Sequence, residues 1–149
     1  GTPNIVWRDH VGTVWLFDQN TLWPIDGAAP RPPDLRRFQR KSNPFFSSLA
    51  EDGKGVFWIV RSAPGEPFQL YRYDPTTGDT RLVSIGESSS NDGARIVYRG
   101  DKLWILGERS IVCVDPRTSR VIETIANPSG ISARNCRAFS RPCPSWSPS

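Results

Sequence analysis

Methionine is missing altogether, histidine occurs once, and the three cysteines form no Cys-x-x-Cys pair. Each scarcity closes a class of chemistry. One imidazole, His10, cannot furnish the paired histidine ligands of common zinc sites, and no His/Cys/carboxylate cluster has metal-ligand spacing. A nucleophile–base pair would depend on that same His10, which reads as an exposed turn residue. No glycine-rich loop of the phosphate-cradling kind is present. No window approaches the ~18 consecutive apolar residues of a membrane-spanning helix, and no stretch sustains helical apolar periodicity. The lack of any Met makes Gly1 an internal cut or a processed end in this reading, so the chain reads as a piece of something larger.

Aromatics and turn formers are plentiful instead. Six Trp, seven Phe and three Tyr stand in a chain of 149 residues with a mean hydropathy of -0.45. Burying one large apolar side chain contributes roughly 1.5–3 kcal/mol, so the rings carry much of the core. The 12 Gly and 14 Pro fall between short apolar runs, as in a turn-rich β fold. The net charge of +4 comes mainly from Arg. Its densest run, "RPPDLRRFQRK" (31–41), sets Arg31, Arg36, Arg37, Arg40 and Lys41 against Asp34 alone. Elsewhere charge is well mixed, which favours a solvated connector over a nucleic-acid surface. Cys113 alternates with Val112 and Val114 in a strand-like run and reads as a buried thiol, while pairing of Cys136 with Cys143 stays open.

Three segments match one another: "HVGTVWLF" (10–17), "DGKGVFWIV" (52–60) and "RGDKLWIL" (99–106). Trp15 and Trp58 stand 43 residues apart, Trp58 and Trp104 46. A second strand-like run follows each and ends in aspartate, at Asp26, Asp74 and Asp115, 48 and 41 residues apart. Two landmarks thus keep one period of about 45 residues, the mark of a repeat architecture. After Asp74 and Asp115 comes Pro and then small polar residues, which is hairpin-turn chemistry. The first copy runs instead through "IDGAAPRPPDLRRF".

Each copy parses into four short strands. In the second these are about 46–50, 56–61, 69–74 and 80–85; in the third, 94–98, 102–106, 111–115 and 120–125. The first opens at Ile5-Val6-Trp7. Four antiparallel strands per 40–50 residues are the signature of a propeller blade. The expected fold is all-β: a partial β-propeller of about three four-stranded antiparallel blades over residues 1–133, at about 5–39, 45–86 and 94–126, with a possible fourth starting near 131. Residues 134–149 form an irregular or disordered tail. Tryptophan fills the wedge between blades, and the aspartate caps the following turn. Open edges would be met by missing blades of the parent chain or by self-association.

"EDGKGVFWIV" followed by "QLYRYDPTTG" resembles the two-component regulator propeller repeat, from 5 to about 125, in three copies of falling quality. The first has Asp18-Gln19-Asn20 where the family usually places glycines. "DPTTGDTRL" is also similar to quinoprotein propeller repeats. The first resemblance implies a non-catalytic sensory domain, periplasmic or extracellular, like the sensor region of hybrid two-component regulators, with a glycan as ligand. The second implies a fragment of a propeller enzyme of quinoprotein, lyase or lactonase type; a protein-docking scaffold is the third reading. No cofactor and no metal is expected.

An Asn precedes each inner strand, at Asn4, Asn43, Asn91 and Asn127. Asn at a turn bonds its own backbone and tolerates positive φ. The functional reading is a ring of amides at the channel mouth. There Asn43 and Asn91, with Glu87, Asp92, Arg95 and Arg40, would bind a polar small molecule or glycan.

Overall fold

The structure, a computed structural model, describes residues 5–17, 21–25, 45–62, 67–85, 94–107 and 110–126. These form β1 (Ile5–Arg8), β2 (Val14–Phe17), β3 (Leu22–Pro24), β4 (Phe45–Glu51), β5 (Phe57–Ser62), β6 (Gln69–Tyr73), β7 (Thr80–Val83), β8 (Arg95–Arg99), β9 (Lys102–Leu106), β10 (Ser110–Asp115) and β11 (Arg120–Ala126). They build three antiparallel meanders, β1-β2-β3, β4-β5-β6-β7 and β8-β9-β10-β11. No helix occurs among the described residues, so none is long and apolar enough to cross a membrane. This is the all-β, blade-by-blade fold of a partial propeller. The first blade's expected stretch beyond residue 25, the possible fourth-blade start near 131 and the tail at 134–149 lie outside the described residues.

The hairpin between the first two strands of a blade explains why tryptophan recurs. In the first blade Asp9 Oδ1 accepts from the backbone N–H of Val11 (3.1 Å) and Thr13 (2.8 Å), and Oδ2 accepts from Trp15 Nε1 (3.0 Å). In the second, Asp52 Oδ1 accepts from Lys54 N (2.8 Å) and Val56 N (3.1 Å), and Oδ2 from Trp58 Nε1 (2.9 Å). One carboxylate therefore closes the turn and orients the indole. The left-handed turn position is taken by Gly12 (φ 93°) and Gly55 (φ 78°), which have no Cβ to oppose it. The third blade shortens this turn to Gly100 (φ 62°) and Asp101 (φ 61°), the two positive-φ residues of a tight hairpin. Trp104 Nε1 donates instead to the Arg99 carbonyl at 3.3 Å.

At the third-to-fourth-strand turns, Asp74 Oδ1 accepts from Thr76 N (2.9 Å) and Asp115 Oδ1 from Arg117 N (2.9 Å). Their carbonyls accept from Gly78 N (2.7 Å) and Ser119 N (2.8 Å). Asp26 lies outside the described residues.

The three rings all stand on the second strand of their blade, Trp15 and Trp58 on the face toward the next blade and Trp104 on the face turned away from the second blade. Trp15 packs with Phe17 and Leu22 on Leu49, Phe57, Ile59, Tyr71 and Tyr73 of the second blade. Trp58, with Val60, Leu70 and Val83 on the other face of that sheet, packs on Ile96, Leu103, Ile105, Val112 and Val114 of the third. Trp104 shares its face with Leu106, Ile111 and Cys113, all buried. Trp15 meets Phe57 edge-on, centroids 5.2 Å apart at 80°, a geometry worth about 0.5–1.5 kcal/mol beyond burial. Between the inner strands, Ile96 N donates to Ser48 Oγ at 3.2 Å.

Replacing Asp52 by Ala leaves the Trp58 N–H and two turn amides without their acceptor; a loss of about 1–3 kcal/mol is expected. Asp101→Gly, which keeps the positive-φ turn, should cost much less. Denaturant unfolding of both variants checks this, and equal losses would contradict the role assigned to the carboxylate.

Tyr73 offers a second test. Its ring is buried and its hydroxyl has no hydrogen-bond partner among the described residues. Burial first, and the charge of Asp74 second, push the phenol from 10.0 up to about 12. The raised value means that this contribution is complete below pH 10, where both states are protonated. It is lost as pH rises toward 12, because the unfolded phenol ionises first. Stability should therefore fall between pH 10 and 12, and Tyr73→Phe should flatten that fall without cost at pH 7. A decline in that window of equal depth in both proteins would refute it.

Candidate functional site

An antiparallel meander has two ends. At one lie the connections between second and third strands and between blades; at the other lie the hairpins just described. The amide ring expected from the sequence belongs to the first end. Asn43, Asn91, Asp92, Glu87 and Arg40 fall outside the described residues, as do Asn4 and Asn127.

Arg95 is described. It opens β8 opposite Leu106, is half-buried, and its Nε is buried with no hydrogen-bond partner among the described residues. A second arginine at the same end, Arg61, is 1% exposed and is the penultimate residue of β5. Its Nη2 donates to Gln69 Oε1 (3.0 Å) and to the Tyr71 hydroxyl (2.8 Å), and its Cζ lies 5.2 Å from the Tyr71 ring centroid. The Tyr71 hydroxyl in turn donates to Gln69 Oε1. In the sequence Arg61 is only the last residue of the expected strand 56–61. The signal was an arginine terminating the apolar run Phe57-Trp58-Ile59-Val60.

At the hairpin end the blade boundaries form two equivalent clefts. Each is walled by the hairpin of one blade, the hairpin of the next, and the Asp-Pro turn of that next blade. The first, about 370 Å³, lies between the Asp9–Thr13 turn, Lys54-Gly55 and Pro75-Thr76. His10 crosses it: its backbone N–H donates to Glu51 Oε1 at 2.9 Å, and its ring Nδ1 contacts Glu51 Oε2. An exposed turn histidine was expected, and His10 is indeed exposed, yet it is tied to the neighbouring blade.

The second cleft, between the second and third blades, measures about 790 Å³. Gly53 takes the place of His10, one residue after the hairpin aspartate, and Tyr98 takes that of Glu51 at the end of the inner strand. A Cβ on Gly53 would come within 2.9 Å of the Tyr98 hydroxyl, so the phenol seats directly on that glycine. Tyr98 donates to Asp101 Oδ1 at 3.1 Å; partial burial, then this bond, raises its ionisation above the ordinary phenol range. Asp115, on the opposite wall, is held below the usual carboxylate range by the backbone N–H of Arg117 and then by its guanidinium. The glycine and the shortened third hairpin together open this cleft relative to the first.

A bulge adds to the wall. Cys113 pairs with Glu123 and Val114 with Val121, leaving Ile122 as the extra residue, 51% exposed and lining the cleft. Among the described residues no group of three or more His, Cys, Asp or Glu is placed to hold a metal ion.

No family model matches the chain, and no curated protein matches it. Among solved structures it is similar to a β-propeller chain in the crystal structure of a nidogen–laminin complex, with a TM-score of 0.56 and 15% sequence identity. The match covers 88% of this chain and 49% of that one, so the chain spans about half that propeller's length. At this identity the likeness concerns the fold.

Proposed function

We propose that the chain is a non-catalytic, ligand-binding part of a β-propeller, similar to the extracytoplasmic sensor region of hybrid two-component regulators. Its ligand is a polar molecule such as a glycan fragment, held at the loop end. The observation that carries this reading is Arg95. Its Nε–H is withdrawn from water with no acceptor among the described residues, an arrangement that costs about 1–3 kcal/mol, and a sugar hydroxyl or carboxylate oxygen would remove that cost. Arg95 directly follows the segment that carries Glu87, Asn91 and Asp92. A non-catalytic role is supported by His10, whose Nδ1 is engaged with Glu51 rather than with a nucleophile. A periplasmic or extracellular location belongs to the same proposal. A protein-docking propeller is the second reading, favoured by the similar chain's being part of a nidogen–laminin complex.

The test is a thermal-shift screen of the chain against neutral and acidic oligosaccharides. At least one should raise the unfolding temperature, and Arg95→Gln and Asn91→Ala should each abolish the rise. Arg120→Gln, on the exposed outer strand, should keep it. A rise that survives Arg95→Gln, or none with any saccharide, would sink the glycan reading.

A further inference from the structure

The wider hairpin-end cleft has an uneven supply of charge. Its three carboxylates are already engaged. Asp52 accepts three hydrogen bonds, from Lys54 N, Val56 N and Trp58 Nε1. Asp101 accepts from Tyr98, and Asp115 accepts from the backbone and guanidinium of Arg117. The lysines of the cleft are not so engaged. Lys54 stands on the exposed second-blade hairpin and Lys102 begins β9 on the facing one, and neither has an ion-pair partner among the described residues. Arg72 reaches only to 4.0 Å from Asp79. Beside these cations the bulge places the side chain of Ile122, with Pro116 and the Tyr98 ring nearby.

We infer that this cleft between the second and third blades binds a short acidic peptide segment, whose carboxylates meet Lys54 and Lys102 and whose neighbouring apolar side chain rests on Ile122. Charge complementarity selects an anion: Arg117 pairs with Asp115, and Lys54, Lys102 and Arg72 outnumber the two remaining carboxylates of the lining, Asp52 and Asp101. The apolar wall selects a peptide over an acidic saccharide. A saccharide offers apolar contact mainly through the flat C–H face of its ring, and pressing its edge on the branched Ile122 side chain would strip water from hydroxyls that gain no partner there, whereas an aliphatic side chain loses none. The first cleft serves as an internal contrast. There His10 spans the gap to Glu51 and the volume is less than half as large. This site lies at the opposite end of the blades from Arg95 and stands independently of the saccharide reading.

The probe is a fluorescein-labelled Glu-Glu-Leu-Glu-Glu peptide titrated with the chain and followed by anisotropy. Binding should weaken about tenfold in the Lys54→Gln/Lys102→Gln double variant and should weaken with added salt. The Gln-Gln-Leu-Gln-Gln peptide should not bind. Glu-Glu-Ser-Glu-Glu should bind more weakly than the leucine peptide, and Ile122→Ser should erase that difference. Both lysines and Ile122 are at least partly exposed, so unchanged unfolding temperatures would verify that the variants are folded. Three results overturn the inference. One is no binding at millimolar peptide; another is equal affinity in the double variant. The third is an acidic tetrasaccharide that binds through the same lysines and is indifferent to Ile122→Ser.

Discussion

The architecture depends on one carboxylate doing two jobs at the tip of a hairpin. In Asp9 and Asp52 one oxygen gathers two turn amides and the other holds an indole N–H. The bonds themselves are modest, each near 1 kcal/mol net. Their leverage comes from what they orient. A Trp ring contributes a large apolar area only if it lies flat in the wedge between sheets, and its N–H must then end on an acceptor at the wedge's rim. In the first two blades the hairpin aspartate is that acceptor, and in the third the Arg99 carbonyl takes its place. The turn, the ring and the packing of successive blades are therefore one coupled feature.

Blade boundaries reuse one geometry with different residues. The position after the hairpin aspartate meets the end of the next inner strand at both described boundaries, once as His10 against Glu51 and once as Gly53 against Tyr98. A side chain that reaches across occupies the gap; a glycine leaves it open and lets a phenol settle on the backbone. Repetition fixes where a cleft forms, and single substitutions at the repeated positions set its size and polarity.

Much of the fold was legible in the sequence. The Trp and Asp spacing gave the period, and the observed strands of the second and third blades follow the alternation of apolar residues closely. Turn chemistry placed Asp74 and Asp115 where their side chains cap the turns. What escaped the sequence was non-local or irregular. The partnership of Asp9 with Trp15 spans six residues and reads locally as ordinary turn polarity. The meeting of His10 and Glu51 joins residues 41 positions apart. Ile122 looks like one more residue of a strand, since a two-against-one pairing leaves no mark on composition. Arg61 ends an apolar run and is held by Tyr71 and Gln69 on the neighbouring strand. Of the loop-end candidates only Arg95 lies among the described residues, so the amide ring is carried forward as a proposal.

The shared direction of the three indoles makes the stack of sheets a vectorial object. Its leading surface, around Val14 and Leu16, and its trailing surface, around Trp104, differ in composition and shape. Two copies related by a twofold axis would have to press like surface on like. Head-to-tail contact instead repeats the join already present at both internal boundaries. Any further sheet, whether from the same polypeptide or from another, would accordingly be added with the same sense of rotation, and growth by that rule ends in a closed circle or not at all.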